Sequence, residues 1–293
     1  MPLVVALLLG LVQGVFMFVP VSSTSHLVLT QTLLRQLGVE LPPPDSPELI
    51  LFDLVVHVGT LVSVVVVMGD GLAEIGRGVR SELRGRTGGA RPPAPTLRLV
   101  ALMLLSVVVT GVLGLAFRGA LTEVFGSPPL VATALVVTGG LLWWTDAMTP
   151  DRSGRRLRFG WRGPGQVTVP VAVAVGVAQA VALAPGISRS GTTIFVALLV
   201  GMQRTLAARY SFYVAIPTIL AATGIQALLV LRDEGPIPVS WAAMATGFVV
   251  AAVVGTAALW LVLRLLEAAR FRAFSIYVWL LAAVVLLTGL GVA

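Results

Sequence analysis

The chain has 293 residues, of which 57% are hydrophobic and 11% charged, with 20 basic against 13 acidic side chains and no cysteine. A mean hydropathy of +0.98 lies far outside the range of water-soluble domains, so the sequence describes a polytopic membrane protein. Without cysteine there are no disulfides, cysteine nucleophiles or thiolate metal sites.

The first apolar region, 3–37, is broken in its middle by FVPVSSTSH at 18–26, a run of hydroxyls with a proline and one of two histidines. It has no basic leading segment and no small-residue cleavage site, so it reads as retained rather than as a removable leader. LPPPDSPE at 41–48 reads as a stiff connection within the loop 35–49. A span follows at 50–68 with one acidic residue inside it, Asp53, and His57 one helical turn later on the same face. The pair is expected to hydrogen-bond to each other or to a neighbouring span; alternatively, Asp53 helps hold a metal ion. The segment RSELRGRTGGARPPAPT at 80–96 reads as a mobile basic linker beside anionic lipid. Spans at 97–117 and 128–145 come next, then a second broken region, 168–203, carrying PGISRSGTT at 185–193. Spans at 209–231, 239–263 and 274–292 bring the total to six. Trp143, Trp144, Trp161, Trp241, Trp260 and Trp279 fall mostly near span ends, as an interfacial belt requires.

All 20 basic residues are arginine. Sixteen of them belong to the loops 69–96, 146–167, 204–208 and 264–273 or their edges, while Arg35, Arg118 and Arg232 belong to the opposite side. That asymmetry predicts both termini outside the cytoplasm, and it accounts for the positive charge without a nucleic-acid partner. Arg189 belongs to neither side.

The two broken regions resemble each other. Gly10 and Gln13 align with Gly176 and Gln179, and Pro20, Ser23 and Ser25 align with Pro185, Ser188 and Ser190 after a one-residue slip. Three spans follow each copy, so the second copy enters the membrane upside down. The expected fold is all-α and integral to the membrane. It has two inverted-topology repeats, 1–150 and 168–293, each a broken or re-entrant helix hairpin plus three spans, in one domain covering 1–293.

Taken alone, either polar break reads equally well as interhelical hydrogen-bond glue or a kink. Arg189 tips the balance, because an ionisable group at bilayer depth costs about 2.5 kcal/mol or more. A planar guanidinium with Ser22, Ser23 and Thr24 on one side and Ser188, Ser190, Thr192 and Thr193 on the other suits a phosphate group, such as a lipid headgroup. Ser23, three residues before His26, is a candidate nucleophile beside a base.

PVSSTSH, FDLVVHVGTL at 52–61, PGISRSGTT and RTLAARYSFYVAIP at 204–217 occur in this order over almost the whole chain. In this the chain resembles the bacterial undecaprenyl-diphosphate phosphatases, the bacitracin-resistance membrane proteins. The resemblance implies a plasma-membrane phosphatase that removes the terminal phosphate of a C55 polyprenyl diphosphate, regenerating the monophosphate carrier for envelope glycans. It also implies an outward-open site and a divalent cation, magnesium or calcium. By the same resemblance Ser23 is the nucleophile or a phosphate ligand, His26 shuttles the proton, and Arg189 binds the pyrophosphate. Gln13, Ser22, Thr24, Ser25, Ser188, Ser190 and Thr193 are headgroup ligands, and Gly186 and Gly191 shape the turn.

Two positions depart from the family pattern. Met17 stands where the family carries a carboxylate, and Ser25 replaces the glycine before the histidine. A thioether neither takes a proton nor holds a hard cation, so weakened hydrolysis is expected. Two alternatives from other classes are a protein that binds or flips a polyprenyl phosphate without cleaving it, and a transporter of an unrelated small anion.

Overall fold

The computed structural model describes residues 1–85, 95–147, 167–232, 240–267 and 271–288. Among these, eleven helices and no strands occur: α1 Leu3–Phe16, α2 Ser23–Gln36, α3 Pro47–Gly85, α4 Pro95–Ala116, α5 Arg118–Phe125, α6 Pro128–Ala147, α7 Val169–Val181, α8 Arg189–Leu199, α9 Arg204–Arg232, α10 Trp241–Glu267 and α11 Phe271–Thr288. Six of them, α3, α4, α6, α9, α10 and α11, are long and apolar enough to cross a membrane. The other apolar helices are shorter: the 14 residues of α1 reach about 21 Å against a hydrocarbon core of about 30 Å.

Each expected span is present, but several boundaries differ. The loop expected from 69 is helical to Gly85, with one non-helical residue, Met68, at φ −114° marking a kink. Nothing in 69–85 stops a helix, and the end of α3 is tied to α4 because Glu82 accepts hydrogen bonds from Thr96 N and Leu97 N at 2.9 and 2.8 Å. The expected loop 204–208 is the first turn of α9, and the loop 118–127 contains α5. The rest of the basic linker, 86–94, and Trp161 lie outside the described residues.

Between membrane helices no hydrophobic force acts, so close approach through small residues has to supply the contact. Gly10 of α1 lies against the Gly247 backbone of α10, where an added Cβ would come within 2.7 Å of the carbonyl oxygen. Its aligned partner, Gly176 of α7, lies against Ser106 O of α4 at a comparable 2.8 Å. The α4–α7 seam is closed by Ser106 Oγ donating to Ala172 O at 2.7 Å and Thr110 Oγ1 donating to Gly176 O at 3.0 Å. Helix α10 also packs on α3, and α6 packs on α11 with Trp279 Nε1 donating to Val136 O at 3.0 Å. Helices α1 and α7 thus pack against spans from the other half of the chain, and the two breaks meet through Ser22 and Gly186.

Candidate active site

The break after α1, residues 17–22, ends at Ser22, whose φ of 67° is the one positive value at a non-glycine among the described residues. Such a conformation costs about 1–3 kcal/mol and persists only where the surroundings enforce it. Here they do. The Ser22 carbonyl accepts from Ser25 Oγ at 2.7 Å and from His26 Nδ1 at 2.8 Å. Its hydroxyl oxygen accepts from Gly186 N at 3.1 Å, joining the first break to the second.

The break after α7 is built differently. Gly186 takes φ 95° without a Cβ to clash, packed against Val131 and Ala134 of α6. Thr138 of α6 braces it from behind, donating to Gly186 O at 2.7 Å and accepting from Ser188 N at 3.0 Å. Ser188 then caps α8, its hydroxyl accepting from Gly191 N at 3.1 Å. Arg189 is the first residue of α8.

The guanidinium turns toward the first break, where Arg189 Nη2 lies 3.6 Å from Met17 Sδ. Gln13 Nε2 donates to the same sulfur at 3.2 Å, and Ser23 Oγ lies 4.0 Å from it. Three donors therefore converge on a weak acceptor, which leaves them available to a stronger one such as a phosphoryl oxygen.

One cavity of about 410 Å³ adjoins this cluster. Ser22, Ser23, Thr24, Ser188, Arg189, Ser190 and Asp53 line it, together with Met17 and His57. Its remaining walls are largely apolar and come from α4, with Val107, Gly111 and Leu115, and from α9, with Ile219, Ala222 and Ile225. Asp45 and Arg118, both exposed, and Thr122 also line it. Hydroxyls and the Arg189 guanidinium beside largely apolar walls fit an amphiphile with an anionic head.

The other sequence-derived site residues do not line the cavity. Gln13 is buried beneath Met17, Ser25 bonds the Ser22 carbonyl, and Gly186 and Gly191 shape the second turn. Thr193 Oγ1 donates to Arg189 O at 2.7 Å and pairs with Ser211 Oγ at 2.5 Å, anchoring the first turn of α8. Thr192 Oγ1 is buried without a hydrogen-bond partner. His26 faces away from Ser23: its ring stacks on Phe16 with centroids 3.9 Å apart, and its Nε2 meets Tyr277 Oη of α11 at 2.8 Å.

Asp53 is 3% exposed. Its Oδ1 accepts from Gln31 Nε2 at 2.7 Å, while Oδ2 is buried with no partner. His57 bonds the Asp53 backbone carbonyl at 2.6 Å rather than its carboxylate, so of the two expected arrangements the side chains do not pair with each other, and the carboxylate bonds a neighbouring helix, α2. An i to i−4 bond to the main chain is available within one helical turn, and the carboxylate is already taken up by α2. Among the described residues no group of three or more His, Asp or Glu side chains could hold a metal. A hard cation takes oxygen ligands. The Met17 sulfur does not fit one, whereas the unpartnered Oδ2 of Asp53 does.

Residues 6–284 match the family described as Bacitracin resistance protein BacA. The chain belongs to that family. It is 48% identical over 292 residues to the undecaprenyl-diphosphatase of Halorhodospira halophila, covering 98% of both chains. It is 49% identical over 286 residues to that of Alkalilimnicola ehrlichii, covering 96% of this chain and 95% of the relative. To undecaprenyl-diphosphatase 2 of Stutzerimonas stutzeri it is 34% identical, with full coverage of both. In this member of the BacA family the sequence reading missed Gln31, Thr138 and Tyr277. Thr138 and Tyr277 are lone polar residues in apolar stretches of α6 and α11, and Gln31 is one of several polar residues of α2, so no motif singles any of them out.

Proposed function

We propose that the chain is an integral membrane phosphatase that hydrolyses undecaprenyl diphosphate to undecaprenyl phosphate and inorganic phosphate. The observation that carries this reading is a cavity of about 410 Å³ whose lining joins Arg189 and hydroxyls of both breaks to largely apolar walls from α4 and α9. The names of the similar proteins agree with it, and they do not favour the non-hydrolytic alternative. The small-anion transporter does not explain the apolar wall.

In this reading Ser22, Thr24, Ser188 and Ser190 hold the diphosphate, and Arg189 neutralises charge that grows on the transferred phosphoryl group. Ser23 Oγ attacks the terminal phosphorus and the bond to the bridging oxygen breaks, expelling the lipid monophosphate. The Ser23 proton passes to an oxygen of the bound diphosphate. Water then attacks the phosphoserine, returning the hydroxyl and freeing phosphate. Asp53 Oδ2 is the group that would hold a magnesium or calcium ion, with diphosphate oxygens supplying further ligands; such an ion offsets negative charge on the substrate.

The two halves act as inverted repeats with re-entrant hairpins inside one domain. The matched approaches of Gly10 to α10 and Gly176 to α4 support this. The cavity opens outside the plasma membrane. Arg77, Arg80, Arg84, Arg98, Arg204, Arg264 and Arg272 belong to helix ends on the side of the Glu82 contacts to α4 and the Asp146 contacts to α11, whereas the exposed lining residues Asp45 and Arg118 belong to the opposite ends. Both termini are then extracytoplasmic.

The test is phosphate release from undecaprenyl diphosphate by purified protein in detergent, with magnesium, calcium or chelator. Metal-dependent release by the native chain supports the reading, and no release under any condition overturns it. Asp53→Asn should raise the cation concentration for half-maximal release about tenfold or more; an unchanged cation titration removes Asp53 from the cation site.

A further inference from the structure

His26 is 7% exposed, does not line the cavity, and makes its hydrogen bonds to Ser22, Ser25 and Tyr277. A carbonyl oxygen only accepts, so Nδ1 must carry the proton it donates to Ser22 O at 2.8 Å. In the neutral ring Nε2 is then an acceptor, and Tyr277 Oη–H donates to it at 2.8 Å. The tyrosine thereby selects the tautomer that the Ser22 carbonyl needs. Phe16, His26 and Tyr277 lie nearly parallel, with interplanar angles of 19° for Phe16 on His26 and 7° for His26 on Tyr277, so the ring plane is fixed as well. At the far end of this chain of contacts, Ser22 holds its left-handed φ of 67° and accepts from Gly186 N.

We propose that His26 is a positioning residue, held in tautomer and plane by Tyr277 of α11, which clamps the left-handed Ser22 turn and so aims the Ser22 and Ser23 hydroxyls into the cavity. It carries no proton to or from the reacting phosphoryl group. The last helix thereby controls the geometry of a turn about 250 residues earlier through one imidazole. The proposal rests on the phosphatase reading for its kinetic test only.

Four variants decide it: His26→Asn, His26→Ala, Tyr277→Phe and the double variant His26→Ala/Tyr277→Phe, each checked by size exclusion and melting. The Asn amide keeps a donor for the Ser22 carbonyl and cannot shuttle a proton. Phosphate release by His26→Asn should stay within about tenfold of native, and Tyr277→Phe should fall by a similar factor, since each loses the Tyr277 bond. His26→Ala should lose about a hundredfold through misplacement of the turn. The double variant should be no worse than His26→Ala, because Tyr277 acts through the histidine. If His26→Asn is as inactive as His26→Ala, His26 is a proton carrier and the proposal falls. An additive loss in the double variant removes Tyr277 from the clamp. If the native chain itself releases no phosphate, it is the phosphatase reading that falls. The proteins are then ranked by the rise in melting temperature on adding undecaprenyl diphosphate. There, native and His26→Asn above His26→Ala supports the clamp, and equal shifts for the two His26 variants overturn it.

Discussion

At Gly186 the chain turns through a φ of 95° with a residue that has no Cβ to clash, whereas at Ser22 it turns through 67° with one that does. The second break is therefore at ease: a glycine, a serine cap and a brace from Thr138 make a platform from which Arg189 projects. The first break is held against its own preference by hydrogen bonds on one carbonyl, from Ser25 and His26. The two breaks thus divide the work. The same contrast appears in the helices before the breaks, where Gln179 donates to Thr110 and Thr218 at 3.2 and 2.8 Å while Gln13 donates to the Met17 sulfur. One glutamine ties spans together, and the other lies beneath the reactive groups. Backbone strain is tolerated where a hydroxyl must be aimed, and avoided where the turn only has to be rigid.

The sharpest way to break this comparison is Arg189→Ala. If the second break exists to present the guanidinium, phosphate release should fall by about 10³-fold or more with the melting temperature little changed. Gly186→Ala should do the reverse of that division. A Cβ there meets Val131 O and Ala134 at a positive φ, so stability should drop by about 3 kcal/mol, read from thermal melts. Thr138→Val leaves the Ser188 amide without its acceptor, and about 1–3 kcal/mol of stability should be lost. Ser22→Gly has the smallest effect on stability. Relief of the strained φ and loss of the acceptor for Gly186 N act in opposite directions, each by about 1–3 kcal/mol, so the stability should stay within about 1 kcal/mol of native. Release should nevertheless fall about tenfold, because the acceptor for Gly186 N is gone and the turn is loosened. A Ser22→Gly protein that melts several degrees lower would mean that the two breaks do not differ in strain.

Much of this was legible in advance, for reasons specific to a bilayer. Spans of 18 or more apolar residues, hydroxyls and proline interrupting two of the apolar regions, and an arginine inside the second are visible without any structure. Ser22, Ser23, Thr24, Ser188, Arg189, Ser190 and Asp53 were all named from those patterns, and all line one cavity. The orientation of His26 was not legible. Its spacing from Ser23 suits a nucleophile with its base and starts both side chains from one face of α2, yet the imidazole turns instead to the Ser22 carbonyl and to Tyr277 of α11. The partners of Asp53 were equally hidden, since Gln31 comes from α2 and His57 turns to the main chain.

What the sequence determined by itself was the solvent, the number of spans, the two polar breaks and the chemical class of ligand. An unpaired polar or charged group in hydrocarbon is so costly that its presence marks a site. What only the tertiary structure decided was the role of each polar group: which hydroxyl faces the cavity, which bonds a carbonyl, and which distant helix supplies the brace. Those roles depend on hydrogen bonds between residues 164 and 251 positions apart, such as Gly186 with Ser22 and Tyr277 with His26. Hydrogen bonds of that kind form only once the packing of the helices has brought their donors within about 3 Å of their acceptors.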